Sequence, residues 1–366
     1  MKKTLAAVAV LGAFAGSALA ADVTLYGVVD LGMQYNHKNP AAEASTSSVS
    51  MESGQSAGSR WGLKGVEDLG AFKVGFILED GFTADDGKED KSAMFDRESS
   101  LFIQGDFGKI GVGRIGSIGQ GTGSWAKVGV ASPFGTSYKN AALTAVIVTD
   151  AAVRENMIAY QTPTFAGVTG YVQYSMGTNG EGENESSTDR FYAVGATYAN
   201  GPVNAYFGVD SINYKTYGAA GSSDYIDDSL TVTVAGNYNF DVAKVFFGAQ
   251  YFDEVANSKI AVLSDIKLHG WSATVGADVP LAGGNLMASI GYVDAEAADS
   301  VTKNGKDKAA DFDLTRYQLA VGYKYNLSKR TMAYAAASLL KDKVEQGKVD
   351  AKTTTAQAMF GLKHTF

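Results

Sequence analysis

Apolar and polar residues alternate at every second position along most of the chain. The pattern is cleanest at its end, where Ala356, Ala358, Phe360, Leu362, His364 and Phe366 share one parity and Thr355, Gln357, Met359, Gly361, Lys363 and Thr365 the other. A period of two marks a β-strand with one apolar and one mostly polar face. The same alternation runs through Leu230, Val232, Val234, Gly236, Tyr238 and Phe240, and through Tyr317, Leu319, Val321, Tyr323 and Tyr325. Similar runs begin near Val23, Phe72, Val168, Tyr192, Val203, Val245, Trp271 and Leu286, with weaker ones near Arg60, Arg97, Lys109, Asn156 and Met332. Together they predict about sixteen strands, each long enough for the ~9 to 11 tilted residues that cross a bilayer.

The connections alternate in length. Short turns at Glu67-Asp68-Leu69-Gly70, Asn200-Gly201-Pro202 and Asn326 to Arg330 are each followed by a long polar stretch. The long ones are Thr83 to Met94, Gly177 to Asp189, Tyr214 to Asp228, Asp253 to Lys267, Ala295 to Asp311 and Lys341 to Lys352. A barrel that crosses a membrane sorts its loops in this way, and a soluble sandwich has no reason to. Tyr35, Phe82, Tyr174, Tyr198, Tyr251, Tyr292 and Tyr325 fall near strand ends on the apolar parity, where amphipathic rings favour a membrane-water boundary.

Residues 1–20 stand apart. Lys2 and Lys3 precede a mostly apolar stretch that closes on Ala18-Leu19-Ala20, the layout of a secretory signal peptide cut after Ala20. A single barrel domain is then expected over 21–366, with no composition break inside it. Cysteine is absent, so no disulfide braces the exported chain. Forty-three glycines, five prolines, 19 tyrosines and 18 phenylalanines suit aromatic-rich strands joined by turns. Mean hydropathy near zero (-0.06) is what a barrel with a wet interior averages to. The formal charge of -8 argues against a nucleic-acid partner.

Several segments occur in an order and spacing that resemble the general porins of Gram-negative bacteria, specifically the neisserial and β-proteobacterial type. They are Val23-Thr24-Leu25-Tyr26-Gly27-Val28-Val29-Asp30, Ser59-Arg60-Trp61-Gly62-Leu63-Lys64-Gly65 leading to Glu67-Asp68-Leu69-Gly70, and Phe107-Gly108 to Gly113-Arg114. Further along come Asn156-Met157-Ile158-Ala159-Tyr160-Gln161-Thr162-Pro163, Leu327-Ser328-Lys329-Arg330-Thr331 and Gly361-Leu362-Lys363-His364-Thr365-Phe366. The resemblance implies an all-β fold, a sixteen-stranded antiparallel transmembrane barrel with an inward-folded third loop. It also implies an outer-membrane homotrimer, embedded in lipid, that passes small hydrophilic solutes and inorganic ions by diffusion. A terminal Phe366 would be part of the assembly signal read by the outer-membrane insertion machinery.

The stretch from Gly116 to Asp150 lacks barrel alternation and lies where the resemblance places the constriction loop. Trp125, Val128, Val130, Phe134, Leu143, Val146, Ile147 and Val148 give it too much apolar surface to leave in water. Opposite such a loop the resemblance sets a basic ladder: Arg60, Arg97 and Arg154, with Arg114 and Lys64 as neighbours. Arginine stays charged and meets anions through a planar fork. Arg60 and Lys64 share one strand face, Trp61 and Leu63 the other, whereas Leu101 and Ile103 fall on Arg97's parity. The loop carries Lys127 and Lys139 as bases and only Asp150 as an acid, so the expected constriction is net positive and the channel mildly anion-selective.

Other functions find less support. The histidines His37, His269 and His364 fall in a loop region, at a strand start and on the lipid parity, with no serine placed for nucleophilic catalysis. Gly111 to Gly116 matches GxGxxG, but no helix follows it. The run Asp85 to Asp90 lacks the spacing of an EF-hand loop, and no cofactor is expected. A plugged or adhesive barrel that binds partners through its long outer loops is the competing class; spaced charges, threonines and asparagines on the polar parity favour an open pore.

Overall fold

The computed structural model describes residues 23–41, 43–91, 93–121, 123–147, 153–177, 189–214, 228–256, 267–298, 312–346 and 349–366. The expected signal peptide, Asp150 and the tips of most long loops lie outside the described residues.

Among the described residues seventeen strands form one antiparallel sheet. In chain order they are β1 (Thr24–Pro40), β2 (Thr46–Ser53), β3 (Arg60–Asp68), β4 (Lys73–Gly81), β5 (Glu98–Gly105), β6 (Gly108–Gly116), β7 (Val153–Gln161), β8 (Val168–Ser175) and β9 (Arg190–Asn200). The wall continues with β10 (Val203–Asn213), β11 (Leu230–Asn239), β12 (Lys244–Ala256), β13 (Lys267–Leu281), β14 (Gly284–Ala297), β15 (Phe312–Asn326), β16 (Thr331–Gln346) and β17 (Val349–Thr365). Apart from β2 and β3, which both pair with β1, each strand pairs with its neighbour in sequence, and β1 closes the ring on β17, from Val28 opposite Thr365 to Pro40 opposite Thr353. At the seam Phe366 and Gly27 exchange both backbone hydrogen bonds, each 3.1 Å. On its other edge β1 meets two strands, β3 along Thr24 to Val28 and β2 along Leu31 to Lys38. These are two halves of one stave, so seventeen strands make a sixteen-stave barrel.

Strand β2 was not among the expected runs. Its sequence, Thr46-Ser-Ser-Val-Ser-Met-Glu-Ser53, has serine on both parities and shows little alternation. The break between the halves is built by Asp30, which is fully buried and accepts hydrogen bonds from the backbone N–H groups of Ser56 and Ala57, both 2.7 Å. Gly54 turns the chain there with φ +66° and donates to the Asp30 carbonyl. Stretches expected as loops are partly strand: β12 runs on to Ala256, β14 to Ala297 and β16 to Gln346. His37, expected in a loop, lies in β1 opposite Ala356. Beyond the apolar band both faces of a strand are polar, so the ladder continues where the alternation stops.

The faces are sorted by lipid rather than by water. Phe360 is 62% exposed while Met359 beside it is 3% exposed. Leu319, Val321, Ile290, Val275, Val234 and Phe207 are exposed on the same outward parity, as are Tyr35, Tyr198, Tyr251 and Tyr325 near strand ends. Large apolar side chains around the whole circumference need a solvent that is itself apolar.

Candidate functional site

The segment from 117 to 147 is laid against the inward face of the wall. Three short 3-10 turns, Val128–Ala131, Lys139–Ala141 and Leu143–Ala145, shape it. Ile118, Trp125, Val128, Phe134, Leu143, Val146 and Ile147 are buried. Wall amides carry its backbone: Gln173 accepts from Ile118 N–H at 2.9 Å, Asn237 donates to Val130 O at 2.9 Å, and Gln318 donates to Asn140 O at 2.7 Å and Ala142 O at 3.0 Å. Arg316, paired to Asp342 at 2.6 Å, also donates to Ala145 O. The loop therefore follows the wall from β8 to β15, held by polar groups spaced along its length. Close approach explains two of the strand glycines. A Cβ on Gly276 would stand 2.7 Å from Pro133 Cδ, and one on Gly291 2.3 Å from Val146 Cγ2.

Tyr138 joins this loop to the break in the second stave. Its N–H donates to Gln55 O, and its ring packs edge-on against Phe134 and Tyr334 at centroid distances of 5.5 and 5.6 Å. Burial pushes its hydroxyl up to about 12, so the ring is neutral where it packs. Tyr334, on β16 next to the β1–β17 seam, donates to Asp30. Asp30, Gln55 and Tyr334 were not singled out in the sequence, because only the fold brings together β1, the turn between β2 and β3, and β16.

The expected basic ladder divides. Arg60 and Arg97 do meet, on opposite oxygens of one carboxylate: Arg60 Nε is 3.4 Å from Glu79 Oε2 and Arg97 Nε 2.7 Å from Glu79 Oε1. Tyr26 OH donates to the same Glu79 at 3.0 Å. Register settles the parity of Arg60, opposite Val28 and Gly81, and Lys64, opposite Thr24, both inward. Arg97 precedes β5 and reaches Glu79 from the loop, so strand parity does not govern it. Arg114 takes other partners: it stands opposite Ser99, and its guanidinium bonds Glu155 Oε1 at 2.6 Å and Asp96 O at 2.9 Å. Arg154 is buried beneath the loop, its guanidinium carbon 5.4 Å from the Phe191 ring centroid. Lys139 pairs with Glu52 at 3.2 Å.

A second basic group was only partly named by the sequence. Lys64, Lys109, Lys244, Lys324 and Lys363 all take inward registers near the short-turn end of the barrel. Lys127 projects from the loop to join them. Lys64 Nζ stands 5.1 Å from the Tyr26 centroid, Lys109 Nζ 4.2 Å from Phe102 and 5.0 Å from Trp125, Lys127 Nζ 5.3 Å from Tyr171, and Lys244 Nζ 5.4 Å from Phe246. Among the described residues Lys324 alone of the six is ion-paired, to Asp278 at 2.7 Å. Burial pulls the Lys127 ammonium below the ordinary lysine range; the nearby Lys109 charge adds to this and Glu98 opposes it. Glu98 itself is engaged by Ser124, whose N–H and hydroxyl both donate at 2.8 Å.

Comparison with known proteins places this arrangement in context. The family described as Gram-negative porin matches residues 6–344. An outer membrane porin protein of Bordetella pertussis is 31% identical, with all of both chains covered. Outer membrane porin protein 32 of Delftia acidovorans is 30% identical over the whole of both. Among solved structures, the anion-selective porin from Comamonas acidovorans aligns with a TM-score of 0.64 at 26% identity, covering 95% of this chain and 100% of its own. The trimer form of OmpT from Vibrio cholerae shares the fold at 15% identity, with a TM-score of 0.58 over 93% of this chain and 99% of its own.

Proposed function

The chain belongs to the Gram-negative porin family, and from that premise we propose that the lysines of its inner wall make the channel mildly anion-selective. The protein is an outer-membrane barrel for passive diffusion of small hydrophilic solutes and ions, and not an enzyme. Selectivity is the finer question. The observation that carries the reading is the set of five inward lysines, Lys64, Lys109, Lys127, Lys244 and Lys363, with no carboxylate paired to them among the described residues. Fixed charge beside a low-dielectric wall attracts counter-ions with less screening than at an open surface. The anion selectivity of the Comamonas porin points the same way. The loop from 116 to 150 is the constriction in this proposal, and it brings Lys127 into the lumen. Reversal potentials across a KCl gradient should show chloride favoured over potassium; clear cation preference would overturn the reading.

The barrel would work as a homotrimer, as the trimer form of OmpT suggests for this fold. Residues 1–20 would serve as the export signal. Phe366 would be read by the insertion machinery before it closes the seam on Gly27. Deleting Phe366 should lower the amount of barrel assembled in the outer membrane while the channels that do form keep their conductance; normal levels of the truncated protein would refute this.

A further inference from the structure

On the outside of the barrel the aromatic band at the long-loop end changes character at β16. Trp271, Tyr292 and Tyr317 lie ring against ring across β13, β14 and β15, with centroids 5.2 Å apart at each step. Directly opposite Tyr317 the next residue in the row is Lys341. Outward parity on β16 is fixed by Leu339, which is exposed beside the buried Leu340. Lys341 and Lys343 keep that parity, while Asp342 between them turns inward to Arg316. On β17 Lys352 takes the position opposite Lys343. Two ammonium groups directly across an antiparallel pair repel each other.

Their local partners are weak. Lys343 is bonded to Glu345, and Lys352 Nζ lies 3.6 Å from Asp350, each acid standing two residues nearer the loop tip on the same strand. All four side chains are half-exposed, and such pairs contribute little and yield to a better partner. Lys341 is exposed and belongs to no ion pair among the described residues. The outward face of these strands thus has three levels. Ile290, Leu319 and Leu339 are apolar and exposed; Tyr292 and Tyr317 follow with the three lysines; Asp313, Glu345 and Asp350, opposite one another in register, lie outermost. Tyrosine rings favour the level at which hydrocarbon gives way to headgroups, so the lysines stand at the depth of lipid phosphates.

We propose that Lys341, Lys343 and Lys352 bind the phosphate groups of a lipid in the outer leaflet, with its acyl chains lying along Leu319 and Leu339. The long loops mark the outer side of such a barrel, and clustered lysines at headgroup depth attract anionic lipid. The acids of the outermost level select the source of the phosphate. They repel a free anion arriving from water, whereas a lipid phosphate enters from the side, carried by chains that pack on the apolar level. A phosphate between Lys343 and Lys352 also relieves their repulsion across the ladder. The site lies on the lipid side of the wall and does not depend on the ion selectivity of the lumen.

The test uses the folded protein in a neutral detergent with two probes, lipid A carrying its phosphates and the same lipid stripped of them. Native mass spectrometry should show the phosphorylated form retained and the stripped form lost. K341Q/K343Q/K352Q should bind the phosphorylated lipid about tenfold or more weakly. K341Q alone changes one exposed side chain, should weaken binding severalfold, and decides the matter if the triple variant fails to assemble. K329Q, in the exposed turn at the opposite end of the barrel, should bind as the wild type does. Inorganic phosphate should leave the lipid in place. Equal retention of the two lipids, or wild-type affinity in K341Q and the triple variant, would overturn the proposal. Complete displacement by inorganic phosphate would also overturn it, in favour of a free-anion site. Oligomers that dissociate in the triple variant while lipid affinity holds would overturn it too, and make this face a contact between copies of the chain.

Discussion

Two basic groups line the inner wall and differ in what stands beside them. Arg60 and Arg97 grip one carboxylate, Glu79, so three charged groups leave one net positive charge. Lys64, Lys109, Lys127 and Lys244 stand over aromatic rings instead. A ring face attracts a cation through its quadrupole without cancelling its charge. Acid partners and aromatic partners both hold a long side chain in place, but only the second leaves its field available to a passing ion. Counting basic residues therefore misjudges a lumen.

The comparison breaks most visibly in selectivity. Replacing Lys64, Lys109, Lys127 and Lys363 together with glutamine removes four charges, whereas R60Q/R97Q removes two and exposes Glu79. The lysine variant should lose the chloride preference completely at ~0.1 M salt, where charges are felt over about 10 Å. The arginine variant should weaken it less, and E79Q should strengthen it, because both guanidinium charges are then released. Reversal potentials in a KCl gradient rank the three. Should R60Q/R97Q have the larger effect, the arginines set the field after all.

How much of this was legible is itself uneven along the chain. Alternation located sixteen of the seventeen strands because lipid imposes a strict apolar parity on one face. It missed β2, whose serines satisfy neither face, and the polar ends of β12, β14 and β16, where neither neighbour is lipid. Parity also placed Arg60 and Lys64 on one side. What it could not supply was a partner. Glu79 reaches Arg60 across a strand pair, Asp30 gathers Ser56, Ala57 and Tyr334 from two separate segments, and Lys127 finds Tyr171 only once the loop has been laid on the wall. The expected net-positive constriction was drawn from the loop's own charges, and the pairing of Arg60 and Arg97 with Glu79 on the wall reduces the arginines' share of it.

A smaller effect separates the loop from the wall that carries it. Gly291 has room for Val146 only because it lacks a Cβ. G291V should drive residues 143–147 toward the pore axis, at an overpacking cost of ~1 to 3 kcal/mol. Single-channel conductance should fall while the far-ultraviolet β signal stays unchanged. Unaltered conductance would mean that this stretch of the loop does not border the narrowest section. The lysine group should keep its sign of selectivity in this variant, since no charge is moved.

The least effect comes from alkaline titration of the buried lysine of the loop. Burial disfavours the charged form of Lys127, so its ammonium deprotonates at lower pH than an ordinary lysine at ~10.4. As pH rises toward the ordinary lysine range, Lys127 should lose its charge before exposed lysines do, and the chloride preference should begin to decline. The sign for stability is opposite to that of a salt bridge. Between the folded and unfolded pKa values the unfolded chain binds more protons at this site, so stability rises slightly with pH across that interval. K127Q should start from the lower chloride preference and make this early decline smaller. R60Q/R97Q should retain it, because guanidinium groups do not titrate there. An early decline undiminished in K127Q would assign it to the other lysines of the same group.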